Sequence, residues 1–341
     1  MGARGSPSRR AAPRCGHTFG TGAVKDNTVN FSGGTATDYV AGAYVDNTAN
    51  AADVTGNSVT VKGGAFGEIY GGNTKGTGSA NRNTVTVNSG TSDADVYGGY
   101  AKGRDGADGA NAEYNTVTIN GTTTGEDGLA SVYGGRAAYN GNASHNTINI
   151  NGGVMRNVYG GSVNTINAYG KGAASNNTIT ITGGTVGTGH GNGNVYGGHT
   201  GNSNKAVGNV VNIGDGTSTT LKAGTDLRWA MLHGNNSSPF GTYDITGNTL
   251  NVNVKDAHVR SVDNFDTYNF KLNHAFADGD TMLSVTNPGA FSGTGVDWSK
   301  ISVDRSGISA DYIANVQGVH RVTLLKSVGP DDLHFTNYAA R

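Results

Sequence analysis

The sequence predicts an all-β chain: a parallel β-helix, or β-solenoid, with a β-rich cap at its C-terminal end. Three observations carry this. An Asn-led phrase recurs as Asn57-Ser-Val-Thr-Val61, Asn83-Thr-Val-Thr-Val87, Asn115-Thr-Val-Thr-Ile119, Asn146-Thr-Ile-Asn-Ile150, Asn177-Thr-Ile-Thr-Ile181 and Asn209-Val-Val-Asn-Ile213. A second phrase alternates with it, as Ile69-Tyr-Gly-Gly72, Val96-Tyr-Gly-Gly99, Val132-Tyr-Gly-Gly135, Val158-Tyr-Gly-Gly161 and Val195-Tyr-Gly-Gly198. Asn83, Asn115, Asn146, Asn177 and Asn209 lie 32, 31, 31 and 32 residues apart, and the shortest arc from either phrase to the other is 13 residues. A fixed period of this size marks a repeat architecture in which each unit buries its apolar face only against its neighbours. The minimal unit of two 13-residue arcs is too short for a four-stranded propeller blade of about 40–50 residues. It suits one coil of a β-helix, with inserts of about five residues placed in one arc or the other.

Along the chain, residues 1–20 stand apart from the repeats. They carry Arg4, Arg9, Arg10 and Arg14 with no apolar run behind them, so they do not read as a secretory signal. This segment is expected to be disordered or foreign to the native frame. The β-helix is expected over residues 21–254. Within each Asn phrase the first, third and fifth residues share one strand face, so Val85 and Val87, Val117 and Ile119, Ile148 and Ile150, and Ile179 and Ile181 should stack inside. The β-branched content favours strand over helix. Asn83, Asn115, Asn146, Asn177 and Asn209 open their phrases where the chain turns a corner; Asn tolerates left-handed backbone angles, and its amides can form a ladder along the axis. Gly63-Gly64, Gly152-Gly153 and Gly183-Gly184 mark a second corner.

The inserts predict loops at Tyr100–Glu113, Thr122–Ala130, Ser162–Ser175 and Val186–Asn194. Beyond residue 214 the pattern loosens, with Met231-Leu-His-Gly234 standing for the Tyr phrase and Asn248-Thr-Leu-Asn-Val252 for the Asn phrase. Residues 255–326 are richer in aromatic and aliphatic side chains, which suits a cap over the open edge. Residues 327–341 read as a tail.

The composition narrows the function. Charged residues make up 14% of the chain and the net charge is -1, so no global field draws it to nucleic acid. Gly and Pro together are about 18% of the chain, below the roughly 25–30% of low-complexity sequence. Cys15, the sole cysteine, offers neither a disulfide framework nor a zinc spacing. No apolar stretch approaches the ~20 residues of a membrane helix.

The Asn-Thr-Val-Thr-Ile and Val-Tyr-Gly-Gly repeats resemble the passenger regions of bacterial autotransporters, the type V secreted surface proteins. The segment Asn264-Phe-Asp-Thr-Tyr-Asn-Phe270, followed by Gly279-Asp-Thr-Met-Leu-Ser-Val285, resembles the stretch that joins such passengers to their outer-membrane barrel. The resemblance covers roughly residues 21–326. It implies a right-handed β-helix exposed on the surface of a Gram-negative cell, or released from it, commonly acting in adhesion. The chain departs from the family in lacking a leader before the repeats and a barrel after them, so it is expected to be a passenger separated from a longer protein.

Several residues are candidates for chemistry. Tyr70, Tyr97, Tyr133, Tyr159 and Tyr196 should stack into an aromatic ladder; they read as coil-to-coil packing, with a sugar-binding strip as the competing reading. Tyr100, Tyr139, Tyr169 and His190, placed in the inserts, are the candidates for ligand recognition. Glu68, Glu113 and Glu126 are the only glutamates and no Asp recurs at a fixed place, while Asp93, Asp95, Asp105 and Asp108 read as solvated loop residues. His145, His190, His199 and His233 come from different coils and read as surface histidines rather than metal ligands. No catalytic group, cofactor or metal site is expected. The leading expectation is a non-enzymatic adhesin recognising a host cell-surface or matrix molecule, glycans included, from the bacterial surface or after secretion. The alternatives are a polysaccharide-active β-helix enzyme, secreted or part of a phage tail-spike, and a passive surface scaffold.

Overall fold

The computed structural model describes residues 17–18, 22–49, 51–104, 109–122, 129–164, 172–188, 191–201, 205–235, 246–291, 295–308 and 319–336. Parallel strands stack along one axis in columns, which makes the chain a parallel β-helix. The Asn phrases form the first column. Thr28–Phe31, Ser58–Val61, Thr84–Val87, Thr116–Ile119, the start of Thr147–Asn164, the start of Thr178–Val186, Val210–Ile213 and Thr249–Val252 pair in that order. The Tyr phrases form the second, through Thr35–Val45, Ala65–Thr74, Val96–Ala101, Leu129–Ala138, the end of Thr147–Asn164, Gly193–Thr200 and Ala230–Asn235. A short third column begins with Val24–Lys25, Val54–Thr55 and Ala80–Asn81.

Register follows residue identity. Val85, Val117, Ile148, Ile179 and Val211 are successive partners, and so are Tyr70, Tyr97, Tyr133, Tyr159 and Tyr196. The aliphatic pair of each Asn phrase is fully buried. The hydrogen-bonded stack from Thr28–Phe31 to Ile301–Gly307 takes nine steps of about 4.8 Å, a rod about 43 Å long.

The ladder asparagines are the polar spine of this interior. Asn57, Asn83, Asn115, Asn146, Asn177, Asn209 and Asn248 have no exposed surface. From Asn57 to Asn209, each donates both its backbone N–H and one Nδ2 proton to the Oδ1 of the next: Asn115 to Asn146 at 2.9 and 3.0 Å, Asn146 to Asn177 at 2.9 and 3.1 Å. The second Nδ2 proton goes to a backbone carbonyl three residues upstream in the preceding coil, as from Asn146 to Ala112 at 3.0 Å. The interior amide thus has every donor and acceptor engaged. The ladder starts at Asn27 and ends where the backbone N–H of Asn248 meets Asp266 Oδ2 at 3.2 Å.

Two details differ from the reading of the sequence. The left-handed corner residue is not the ladder Asn but the one before it: Asp26, Gly56, Arg82, Tyr114, His145, Asn176, Gly208 and Gly247 all have positive φ. A non-glycine residue there costs about 1–2 kcal/mol. Arg82, Tyr114 and His145 offset it by stacking on one another outside the corner, with Tyr114 and His145 ring centroids 4.8 Å apart. The interior is also divided. An aliphatic core lies on one side of the ladder, and on the other a narrow alanine-rich core holds Ala80, Ala112, Ala143 and Ala174. The Gly-Gly of each Tyr phrase packs across the ladder between them. A Cβ on Gly134 would lie 2.8 Å from Asn146 Cβ, and one on Gly135 would lie 2.6 Å from Asn146 Nδ2. The two phrases recur together because each Gly-Gly must admit an Asn.

Gly64, Gly153 and Gly184 hold positive φ at the second corner. The C-terminal segment continues the same stack. Thr267–Asn273 pairs with Thr249–Val252 and then with Ile301–Gly307, and Thr281–Val285 pairs with Ala257–Val259 and Thr323–Ser327. Phe265, Tyr268, Phe270, Phe276 and Phe291 fill its interior as part of the aliphatic core. At the other end, His17–Thr18 pairs with Tyr44–Val45, so the stack begins before residue 21. Cys15 and the rest of the first segment lie outside the described residues. No helix among those residues is long and apolar enough to cross a membrane.

Replacing Asn146 by Ala strands the backbone N–H and an Nδ2 proton of Asn115 in a dry interior, at about 1–3 kcal/mol each. Asn146→Ala should therefore lower stability by about 2–6 kcal/mol, read from the denaturation midpoint. Asp266→Asn keeps the terminal acceptor and should change it by about 1 kcal/mol or less. Equal effects of the two substitutions would contradict the ladder's role.

Candidate functional site

Among the described residues, the outer face of the Tyr column brings together tyrosines, histidines, two carboxylates and an arginine. Each strand there places three side chains outward: one two residues before the ladder Tyr, the Tyr itself, and one three residues after it. Stacking brings Glu68, Asp95, Ser131, Asn157 and Asn194 into one row and Asn73, Tyr100, Arg136, Ser162 and His199 into another. Between them the ring centroids of Tyr70, Tyr97, Tyr133, Tyr159 and Tyr196 follow at 5.0, 4.9, 4.8 and 5.5 Å, almost coplanar in tilt. His233 extends the ladder, 4.6 Å from Tyr196, with its Nδ1 3.9 Å from Asp263 Oδ2. At the other end Tyr39 and Tyr44 stack on each other and set their edges against Tyr70. Successive rings therefore cover each other's faces; Tyr70, Tyr97 and Tyr133 are buried, and Tyr159 and Tyr196 keep part of their surface exposed. A pyranose ring has no free aromatic face within the ladder.

The charges on this face are organised by the tyrosines. Tyr70 donates to Glu68 Oε2 and Tyr97 to Asp95 Oδ2, both at 2.6 Å. Burial first, and then these carboxylates, push the two hydroxyls far above the ordinary tyrosine range. Burial also pushes Tyr159 up to about 12. Arg136 Nη1 donates to Tyr97 Oη at 3.2 Å, and its guanidinium lies 5.1 Å from the Tyr133 ring centroid and 5.5 Å from that of Tyr100. Burial lowers His199 to about 4, with Arg136 and His233 contributing, and its Nδ1 is buried with no hydrogen-bond partner. Burial lowers His233 as well, opposed by Asp263.

The residues singled out by sequence fall differently. Tyr100 is not in a loop: it belongs to the strand Val96–Ala101 and stacks against Tyr97 at 5.2 Å. Tyr139 occupies a tight turn with φ 56° after Leu129–Ala138 and is half-buried. Tyr169 and His190 lie outside the described residues, as do Glu126, Asp105 and Asp108. Asp93 is exposed, but Asp95 is the acceptor of the Tyr97 hydroxyl rather than a solvated loop carboxylate. His199 and His233 are packed among the ladder rings, not free on the surface. The grouping of Glu68, Asp95 and Arg136 was missed because they stand 27 and 41 residues apart. The signal was available in their offsets, two before and three after a ladder Tyr.

One further cavity, of about 380 Å³, lies among Lys222, Asp226, Arg228, Lys255, Asp256 and His258. Its cations are engaged: Arg228 with Asp226 and Lys255 with Asp280, each at 2.7 Å, and Lys222 with the carbonyl of Asn151. Among the described residues no group of three or more His, Cys, Asp or Glu is placed to hold a metal ion. Comparison with known protein families, with curated proteins and with solved structures returns no match to this chain.

The buried His199 gives the face a pH signature. An unfolded histidine titrates near 6.5, whereas His199 stays neutral in the fold down to about 4. Between these values the unfolded chain binds the extra proton, so stability should fall as pH drops through that window and be unaffected above it. His199→Gln should flatten part of this dependence in melting temperatures measured from pH 7 to pH 4.5. An unchanged slope would show that His199 is not held neutral by its surroundings.

Proposed function

We propose that the chain is the surface-exposed, adhesive passenger of a bacterial autotransporter-like protein, binding through the outer wall of a rigid β-helix. The observation that supports this reading best is the row geometry of the Tyr face. Polar side chains and tyrosine rings recur there once per coil, about 4.8 Å apart, with Asn157, Tyr159, Asn194 and Tyr196 partly exposed. A repeating wall favours a repeating ligand, in which modest contacts add through avidity rather than through one deep pocket. The rigidity comes from inside: the Asn ladder and both cores hold the rows in register whether or not anything is bound. Surface exposure rests on the resemblance of the repeats to autotransporter passengers.

A polysaccharide-cleaving site is the second reading, and one observation favours it. Glu68 and Asp95 occupy neighbouring coils in one row, as a pair of catalytic carboxylates would. Against it, each already accepts a hydroxyl proton from a tyrosine held far above its ordinary range, so those hydroxyls are poor acids near neutral pH. Beads coated with the whole chain should be retained on mucin-, laminin- or collagen-coated surfaces, and beads carrying heat-unfolded chain should not. Retention on none of these surfaces, nor on cultured epithelial cells, would count against adhesion. New reducing ends released from a polysaccharide by the purified chain would favour the enzyme.

A further inference from the structure

Arg136 stands out on the Tyr face because its charge is met by rings and one hydroxyl rather than by a carboxylate. Its guanidinium is planar and permanently charged, with five N–H donors. One of them reaches Tyr97 Oη at 3.2 Å. Among the described residues no carboxylate lies within ion-pairing distance of it, and its other contacts are ring contacts with Tyr133, Tyr100 and Tyr97. Asp95 neutralises it only at one remove, through the Tyr97 hydroxyl. The rings shield part of the guanidinium from water, which strengthens any interaction at its remaining edge.

The surroundings of Arg136 are neutral and rich in hydrogen-bonding groups. Its partner on the following coil is Ser162, and two places away across the ladder lie Ser131, Asn157 and Asn194. Asn157 and Asn194 are half-exposed and linked, with Asn194 Nδ2 donating to Asn157 Oδ1 at 3.0 Å. The carboxylates of this face are confined to its ends, Glu68 and Asp95 toward the N-terminal side and Asp263 on the far side of His233. The coils of Tyr133, Tyr159 and Tyr196 thus form a polar, uncharged wall with a single unpaired cation at one edge.

We propose that this wall binds an acidic polysaccharide lying along the rod axis, with the Arg136 fork holding a carboxylate or sulfate group. This rests on the adhesive reading and names the ligand class of its face. A planar fork suits a carboxylate or sulfate in bidentate contact. The partly exposed amides of Asn157 and Asn194, one coil apart, suit the hydroxyls of successive sugar units, while Ser131 and Ser162 are buried beside the rings. The charge is single, so specificity comes from combining one anionic contact with neutral polar contacts. Across the coils of Tyr133, Tyr159 and Tyr196, Arg136 is the one charged member of the two rows that flank the ladder.

The test uses the whole chain and four probes: polygalacturonate for carboxylate, dextran sulfate for sulfate, unmodified dextran as the neutral control, and poly-glutamate as a polyanion without sugar. Binding to one or both acidic polymers is expected, weaker in added salt, with none to dextran. Arg136→Gln should weaken it by about tenfold or more. Because Arg136 also touches the ladder, Ser162→Asp provides a second variant. It sets a carboxylate on the register partner of Arg136, so it should occupy the fork from within and block binding while the melting temperature holds or rises. Three results overturn the proposal: wild-type chain that binds neither acidic polymer, equal binding to dextran or to poly-glutamate, or folded variants that bind like wild type. If beads still adhere to mucin or matrix after any of these, the ligand class is wrong and the adhesive reading stands.

Discussion

A side-chain amide buried without water must find partners for two donors and one acceptor, and this chain depends on how that is met. Inside the solenoid the amide is matched by the same amide one coil away, at the same height and angle. The match is possible only when neighbouring coils are in register, so the Asn ladder converts a local hydrogen-bonding need into a rule for the whole stack. Slipping one coil by a single residue would turn every aliphatic side chain outward and leave the amides stranded together. Inserts of any length can be accommodated between columns as long as the next Asn returns to its place. The variable spacing and the invariant register are therefore compatible.

Other features follow from the same need. The ladder Asn can reach its neighbours because the strand opposite it is Gly-Gly, and any side chain there would strike the amide. Alanines fill the narrow space on the far side, where each coil's carbonyl takes the last amide proton. The residue before each Asn turns left-handed to bring the strand into line. On the outside, the Tyr ladder repeats the logic in aromatic form, each ring covering the face of the next. Along the margin of that ladder, residue types change from coil to coil.

Much of this was legible in the sequence. The alternation of buried and outward residues, the stacking of Asn on Asn and Tyr on Tyr, and the replacement of Tyr by His233 could be read from the phrases themselves. The positions that escaped were those whose chemistry varies while their geometry does not. Asp26, Gly56, Arg82, Tyr114, His145 and Asn176 share one backbone conformation and no side-chain type, so no motif marks them. The insert expected from Tyr100 begins only after Ala101, because arc length shows that residues are added but not where the strand ends. Glu68, Asp95 and Arg136 come together only once the coils are superposed by their tyrosines. The aromatic residues after 255 were legible as a β-rich end, but their role as further coils of the same stack depends on long-range pairing that the loosened repeat no longer displays.

The ladder is tested most directly by hydrogen exchange of side-chain amides followed by NMR. The Nδ2 protons of Asn57, Asn83, Asn115, Asn146 and Asn177 should persist as long as the backbone amides of Val85, Val117 and Ile148, since both are freed only when coils separate. Exchange of those Nδ2 protons as fast as in exposed asparagines such as Asn30 would contradict a dry, continuous ladder.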